Sequence, residues 1–286
     1  MDLCDYNEIR GLLARHGFHF SKSMGQNFLI DAGVPQRIAQ ASGADGTCGV
    51  LEIGPGIGSL TAQLARQAAR VVSIELDRTL LPVLAETMAD FSNVEIVSGD
   101  AMKLDLEALV REKFQGLTPI VCANLPYNIT TPILTRLAEA PCFRSVTVMI
   151  QREVARRICA APGDSDCGAF SLLMQYRMET ELLFDVPREC FLPAPKVTSS
   201  VIRCTRREAP AVETADEAFF FRCIRGAFLL RRKTLLNSLS SALPELGKDR
   251  IRAAMAACGL PETIRGERLG LEDFAALSKA LLDPIA

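Results

Sequence analysis

Between residues 49 and 151 the chain alternates short apolar runs with segments of helical spacing, and no other feature constrains the fold as much. The apolar runs, rich in β-branched residues, predict strands at 49–53, 71–75, 94–97, 119–123 and 146–150. Helical periodicity lies between them, at 59–68, 79–89, 105–114 and 132–138. Strands that alternate with helices form a parallel sheet covered on both faces. We therefore predict an α/β fold with a doubly wound, Rossmann-like sheet.

The pattern changes after residue 151. Residues 181–186 and 199–205 predict a terminal pair of strands on either side of a Pro-rich connector. From about residue 207 only helical patterns remain, at 215–230, 232–243, 248–257 and 271–282. We therefore predict two domains, an α/β domain over 1–206 and a small all-α domain over 207–286.

Composition and charge argue against several classes of protein. The chain has 286 residues, 49% of them hydrophobic and 23% charged, as in ordinary soluble proteins. It has no apolar run of about 18 residues, which a membrane span needs, and its acidic N-terminus does not resemble a secretory signal. Its ten cysteines form no C-x-x-C pair, and it has two histidines. We expect a cytoplasmic monomer with reduced cysteines and no metal.

A glycine-rich turn, EIGPGIG at 52–58, follows the first predicted strand and precedes a helix. Ligands of open α/β sheets bind at the carboxyl ends of the strands, and glycines allow close approach of the backbone. The spacing differs from the dinucleotide fingerprint, and no Lys follows the glycines, which excludes a phosphate-binding loop. The turn alone is a weak signal, because a simple tight turn has the same sequence.

Two acids at the next strand ends sharpen this prediction. Glu75 ends the second strand, where a carboxylate can accept both ribose hydroxyls of a nucleoside. Asp100 follows the third strand, where it can accept from an adenine amine. Each acid alone fits a solvated loop. With Gly54, however, three such features occur at consecutive strand ends, which favours a nucleoside cofactor without phosphates, S-adenosyl-L-methionine rather than NAD.

The sequence Asn124-Leu125-Pro126-Tyr127 follows the fourth strand and predicts a site for methylating an aryl amine. Such an amine is a poor nucleophile because its lone pair is delocalised. The Asn124 side-chain oxygen and the Leu125 carbonyl can each accept one amine hydrogen and so aim the lone pair. Pro126 sets the turn, and Tyr127 offers a face on which an extruded base can stack. The alternative is a plain turn with a buried Tyr.

Phe191 is a candidate for the opposite face of the base. It stands in the Pro-rich connector, FLPAPKV at 191–197. Core packing explains its presence equally well, so both interpretations stay open.

Several blocks, in order over about residues 20–240, resemble the ribosomal RNA adenine dimethyltransferase family. They are Gly25–Leu29, 52–58, 99–101, 124–132, 151–155 and 191–200. The similarity is greatest to the small-subunit (16S) branch, whose members make N6,N6-dimethyladenosine at two adjacent adenosines of a hairpin loop near the 3′ end. The resemblance implies a class I methyltransferase sheet, S-adenosyl-L-methionine as cofactor and 16S rRNA in a small-subunit precursor as partner.

The resemblance also implies roles for individual residues. Asn27 and Leu29 line the cofactor, Gly54 supplies the turn, and Asn124 touches both cofactor and target. Within the predicted helical domain, five basic residues have no acid between them: Arg222, Arg225, Arg231, Arg232 and Lys233. The family's C-terminal domain implies RNA contacts for this run, and a solvated helix face is the alternative.

Two rival functions remain. A 23S rRNA adenine methyltransferase of the antibiotic-resistance type would share the cofactor site, but Leu125 and Pro132 favour the small-subunit branch. The other rival is an RNA-binding ribosome assembly or transcription factor with vestigial catalysis. The intact acids and Asn124 argue against lost catalysis.

Overall fold

The structure, a computed structural model, describes residues 1–20 and 26–282. Its strands, numbered along the chain, are β1 (Phe28–Leu29), β2 (Cys48–Ile53), β3 (Arg70–Glu75), β4 (Val94–Ser98), β5 (Thr118–Asn124), β6 (Ser145–Gln151), β7 (Met178–Val186), β8 (Phe191–Leu192) and β9 (Ser199–Arg206). Its helices are α1 (Tyr6–Arg15), α2 (Gly33–Ala41), α3 (Ser59–Ala65), α4 (Leu81–Thr87), α5 (Leu106–Lys113), α6 (Thr130–Glu139), α7 (Arg152–Cys159), α8 (Ala169–Arg177), α9 (Glu217–Ala227), α10 (Leu235–Ala242), α11 (Lys248–Ala257) and α12 (Leu271–Leu282).

The central sheet has seven strands in the order β4-β3-β2-β5-β6-β9-β7. Strands β4, β3, β2, β5 and β6 are parallel to their neighbours, and β9 joins β6 in antiparallel register. The chain builds outward from β2 to β4 and then returns to the other side of β2 with β5. The predicted doubly wound α/β sheet with a terminal strand pair is therefore confirmed. The reversal point lies between β2 and β5, where such sheets bind ligands.

Burial explains the sequence of the strands. Every residue of β2 is buried, as are all residues of β6 except its last. A parallel strand that is covered on both faces reads as a continuous apolar run. One core cluster of this part of the chain packs β2, β5 and β6 against α2 and α3.

A two-residue pairing that the sequence did not reveal joins β1 to β8. Phe28 lies opposite Leu192, and Leu29 lies opposite Phe191, in antiparallel register. The pairing ties the N-terminal segment to the Pro-rich connector.

The chain divides into two compact units. The first comprises Met1–Ala155 and Glu181–Arg206, and the second comprises Arg156–Thr180 and the described part of Arg207–Ala286. The second unit has its own apolar core, built around Phe220 and Phe274. Residues 156–180, which the sequence analysis assigned to the first domain, group with this helical unit because α8 packs on α9 through Tyr176 and Phe220.

Two helices of the second unit, α9 and α10, are shorter than their periodicity predicts. Helix α9 stops at Ala227 rather than Leu230, and α10 starts at Leu235 rather than Arg232. Thr234 caps α10, with its side chain accepting from the backbone N–H of Asn237. The residues between the two helices therefore form a turn, and Arg232 and Lys233, which were predicted to begin the next helix, precede it. Of the helices in the described ranges, none has both the length and the apolar composition that crossing a membrane requires.

Candidate functional site

One cavity opens at the carboxyl ends of β2, β3, β4 and β5 in the first unit. The structure brings most of the predicted site residues together there. Those that line it are Asn27, Leu29, Gly54, Glu75, Asp100, Asn124, Leu125 and Tyr127. Gly25, from the N-terminal block of the family resemblance, lies outside the described residues.

The glycine-rich turn forms the floor of the cavity between β2 and α3. Gly54, Gly56 and Gly58 have φ values of 72°, 61° and 94°, in the left-handed region that side chains disfavour. The backbone N–H of Gly54 donates to the carbonyl of Ile74 at 2.9 Å, which fastens the turn to β3. The glycines are required by this backbone path, which brings main chain rather than side chains to the cavity.

Glu75, at the end of β3, is 5% exposed and lines the cavity. Burial raises its pKa to about 7, and hydrogen bonds from backbone N–H groups oppose this rise. One of these is donated by Asp77 at 2.7 Å. The buried carboxylate is thus oriented by the backbone, as an acceptor for a pair of hydroxyls must be.

Gln26 fastens the N-terminal segment to the turn after β3. Its side-chain amide donates to Asp77 Oδ2 at 2.6 Å, while Asp77 Oδ1 accepts from the backbone N–H and the hydroxyl of Thr79. Neither Gln26 nor Asp77 was predicted as a site residue. Their signal was weak: the pair is 51 residues apart, and only its position inside the family block marks Gln26.

Asp100 follows β4 on the same edge of the sheet. Its Oδ1 accepts from the backbone N–H of Met102 at 2.9 Å, and Lys103 Nζ lies 3.8 Å from Oδ2. The backbone N–H of Gly99 donates to the Glu75 carbonyl, which places the two acids on adjacent strand ends.

Asn124 ends β5 with its side chain oriented by the N-terminal segment. Its Nδ2 donates to the Asn27 carbonyl at 3.4 Å. Among the described residues no group donates to Asn124 Oδ1, so this oxygen is the acceptor available to a ligand amine. Leu125 is 1% exposed and its N–H donates to the Met149 carbonyl of β6, which anchors the turn.

Tyr127 starts a short 3₁₀ turn after Pro126, and Ser199 holds its hydroxyl. The two side-chain oxygens are 2.7 Å apart, and Ser199 is fully buried at the start of β9, opposite Gln151. Burial raises the pKa of Tyr127, against the effect of this hydrogen bond. Ser199 is a further residue that sequence analysis missed as a site residue. It lies within the block 191–200, but nothing local shows that it meets a tyrosine 72 residues away.

Glu52, the acid before the glycines, is buried and hydrogen-bonded to neighbouring elements. It is 1% exposed, and its Oε2 accepts from the hydroxyls of Thr61 in α3 and Ser73 in β3 at 2.6 and 2.7 Å. Burial raises its pKa to about 7. Glu52 therefore braces the cavity floor by joining β2 to two neighbouring elements.

Phe191 does not line the cavity. It is 3% exposed and belongs to the core cluster that also contains Leu29, Ile38 and Val201. Of its two interpretations, the geometry favours core packing. Stacking on a base stays a prediction.

The five basic residues lie in the helical unit, and they differ in what they contact. Arg222 pairs with Glu245 at 2.5 Å, and Arg231 donates to the carbonyls of Ser165 and Cys167. Arg225, Arg232 and Lys233 are exposed and have no ion-pair partner in the described part of the chain. Among the five, only Arg222 is thus paired with an acid, and Arg231 is held by backbone carbonyls.

The described residues contain no group of side chains that could bind a metal ion. Within residues 1–20 and 26–282, no three His, Cys, Asp or Glu side chains are grouped as metal ligands would be. The ten cysteines are all free thiols in the described ranges.

Comparison with known proteins shows that the chain is similar to ribosomal RNA methyltransferases. A family model described as ribosomal RNA adenine dimethylase matches residues 17–263. The chain is 46% identical over 285 residues to ribosomal RNA small subunit methyltransferase A of Geobacillus thermodenitrificans (strain NG80-2), covering 98% of this chain and 97% of that protein. The solved structure of the 23S rRNA methyltransferase ErmE is similar with a TM-score of 0.69 and 28% identity, over 89% of this chain and 99% of that one. A dimethyladenosine transferase from Plasmodium falciparum shares the fold, with a TM-score of 0.70 and 23% identity over 87% and 95% of the two chains.

Proposed function

Since this chain belongs to the ribosomal RNA adenine dimethylase family, we propose that it methylates N6 of two adjacent adenosines in a 3′-end hairpin loop of 16S rRNA. The product is N6,N6-dimethyladenosine, made in the cytoplasm by a monomer during small-subunit biogenesis. One observation carries the proposal: the Asn124–Tyr127 turn opens into the same cavity as Glu75 and Asp100, in a chain similar over its whole length to small-subunit enzymes.

The cavity fits S-adenosyl-L-methionine. Glu75 is the buried acceptor for the ribose hydroxyls, and Asp100 on the adjacent strand end accepts from the adenine amine. Asn27 and Leu29 cover the ligand from the N-terminal segment, and the backbone at Gly54 approaches it closely. When bound, this cofactor supplies a methyl group made electrophilic by its positively charged sulfur.

Asn124 orients the target amine. Its Nδ2 is engaged by the Asn27 carbonyl, so Oδ1 accepts one amine hydrogen, and the Leu125 carbonyl accepts the other. Two acceptors at fixed positions rotate the amine so that its lone pair points into the cavity. Orientation of this kind supplies most of the catalysis, with electrostatic stabilisation of the positive charge that develops on nitrogen.

Tyr127 stacks on the adenine, with its ring held at the hydroxyl end by Ser199. No strong base is needed before attack, because the alkylated amine is cationic and loses its proton to water afterwards. The same arrangement serves the second methylation, since the monomethylated amine retains one hydrogen for an acceptor.

The helical unit supplies phosphate contacts through its basic residues. Arg225, Arg232 and Lys233 carry free charge, so we expect them to contribute more to RNA affinity than Arg222 and Arg231, which contact protein groups.

Methyl transfer from labelled S-adenosyl-L-methionine to undermethylated small subunits tests the proposal, with primer extension to locate the label. The wild type should label two adjacent adenosines. Asn124→Ala should transfer at least about 10²-fold more slowly, as when one oriented acceptor or donor is lost. Asn7→Ala, the same change at an exposed position of α1, is the matched control and should match the wild type.

Unlabelled small subunits would overturn the proposal. Label in large-subunit rRNA alone would instead favour a 23S enzyme like ErmE, the structure that shares 28% identity. Calorimetry of cofactor binding, with Asp100→Ala as the variant expected to lose it, separates a working enzyme from an RNA-binding assembly factor.

A further inference from the structure

The turn between α9 and α10 displays two leucines to solvent. Leu229 is 58% exposed and Leu230 is 39% exposed. They begin a run of five consecutive exposed residues that continues through Arg231, Arg232 and Lys233. The helices on either side bury their apolar residues, so exposure of an adjacent leucine pair marks a contact surface.

Hydrogen bonds hold this turn in one conformation. The backbone N–H of Leu230 donates to Ser238 Oγ at 3.0 Å, and that hydroxyl donates to the Gly226 carbonyl at 2.7 Å. Ser238 is fully buried, which removes competition from water. The N–H of Lys233 closes the turn on the Leu230 carbonyl at 2.8 Å. The leucines are therefore presented by an ordered backbone.

A contact of Arg231 also holds the turn in place. Its guanidinium donates to the Ser165 carbonyl at 2.8 Å, on the loop before α8 in the same unit. This contact engages one guanidinium nitrogen of an arginine in the middle of the basic run. It follows that Arg231 fixes the turn, while its neighbours are left to face a partner.

The charge around the leucines is positive. Arg225, Arg232 and Lys233 are exposed and, among the described residues, have no acid within ion-pair distance. The nearby Arg222 is neutralised by Glu245. An apolar pair flanked by free cations complements a surface that has phosphates at its edges and apolar sugar faces between them.

We propose that Leu229 and Leu230 form an apolar wedge that packs against riboses in the minor groove of an RNA double helix, with Arg225, Arg232 and Lys233 on its phosphates. This rests on the proposed function and deepens it. The A-form minor groove is wide and shallow and exposes sugars, so short apolar side chains can reach it. In DNA minor grooves, proteins likewise combine apolar side chains with basic and polar ones.

Salt dependence separates the two parts of the surface. The probe is a fluorescently labelled RNA hairpin with a 20-base-pair stem, titrated by anisotropy at several salt concentrations. Leu229→Ser with Leu230→Ser should weaken binding by about tenfold and leave the salt slope unchanged, because no charge is lost. Arg232→Ala with Lys233→Ala should reduce the slope by nearly two.

Leu182→Ser, a leucine of β7 that is 39% exposed, is the matched control and should bind the RNA like the wild type. Equal thermal unfolding of all variants is expected, because the substituted side chains are exposed. Wild-type RNA affinity of the leucine variant would overturn the proposal. If that variant bound the hairpin normally but intact small subunits poorly, the wedge would contact a protein instead, which also overturns it.

This failure is distinguishable from failure of the proposed function. If the wild type did not methylate subunits, the function itself would fall, whatever the leucine variants do. If the wild type methylated them and the leucine variant bound RNA normally, only the wedge would be wrong.

Discussion

At residue scale, the contact between Tyr127 and Ser199 allows the role proposed for Tyr127 to be tested. Tyr127→Phe and Ser199→Ala each remove the same hydrogen bond while keeping the ring and the backbone. Each should lower kcat/KM by about fivefold, the value of one ordinary hydrogen bond. The double variant should be no slower than the slower single variant, because there is only one interaction to lose.

Ser199→Thr keeps the hydroxyl and should restore most of the activity. The measurements are kcat and KM for small subunits, together with the free energy of unfolding of each variant. Additive losses in the double variant would show that Ser199 acts through packing rather than through the tyrosine.

Glu75 is the residue whose ionisation should control cofactor affinity. Burial raises its pKa to about 7, and only the carboxylate can accept two ribose hydroxyls. As pH falls from 8 to 6 the free protein takes up this proton, and the dissociation constant for S-adenosyl-L-methionine should rise by about tenfold. Glu75→Gln should bind weakly at every pH with a flat profile. Calorimetry across this range is the measurement, and equal affinity of the wild type at pH 6 and pH 8 would contradict the prediction.

At the scale of elements, β2 and α5 meet where Gly49 leaves room for Phe114. A Cβ on Gly49 would lie 2.4 Å from Phe114 Cγ, and this ring is 4% exposed. Gly49→Ala must displace the ring, so the free energy of unfolding should fall by about 1–3 kcal/mol. Gly46→Ala, where a Cβ meets nothing within 4 Å, should stay within about 0.5 kcal/mol. Denaturant unfolding measures both, and equal losses would contradict the packing explanation.

Strands and helices could be predicted from the sequence where the local pattern of apolar residues matches their burial in the tertiary structure. The β2, β3 and β5 regions were predicted to within one residue at each end, because strands buried on both faces have largely apolar sequences. The turn at 228–234 was not predicted. Phe228, Leu229 and Leu230 continue the helical pattern of α9, but the backbone N–H of Leu230 bonds to Ser238, a side chain of the next helix.

At the scale of the whole molecule, Glu52 links global stability to pH. Its folded-state pKa of about 7 exceeds the ordinary value of 4.5, so the folded protein holds a proton that the unfolded chain has lost. This group's stabilisation is complete below pH 4.5 and is lost as pH rises to about 7, by on the order of 3 kcal/mol. Glu52→Gln removes this dependence.

The unfolding free energy of Glu52→Gln relative to the wild type should therefore be higher at pH 8 than at pH 5. The difference between the two proteins cancels the contribution of carboxyl groups that do not interact with Glu52. It reports on Glu52 together with its coupling to Glu75, whose charge raises the Glu52 pKa. A difference that does not change with pH would show that Glu52 is ionised at both.

Sequence alone determined the α/β sheet, the edge at which its cavity opens and the type of reaction. This was possible because parallel strands place their carboxyl ends on one edge, so that Gly54, Glu75, Asp100 and Asn124 had to converge once their strands were recognised. The order of the strands along the chain, and the position of each residue at a strand end, were enough to predict this convergence.

Only the tertiary structure decided which side chains meet across long separations. It brought Ser199 to Tyr127, buried Phe191 in the core, grouped residues 156–180 with the helical unit and engaged Arg231 with backbone carbonyls. Each of these outcomes depends on packing between elements, and local periodicity reports only which face of an element is apolar, not which neighbour covers it.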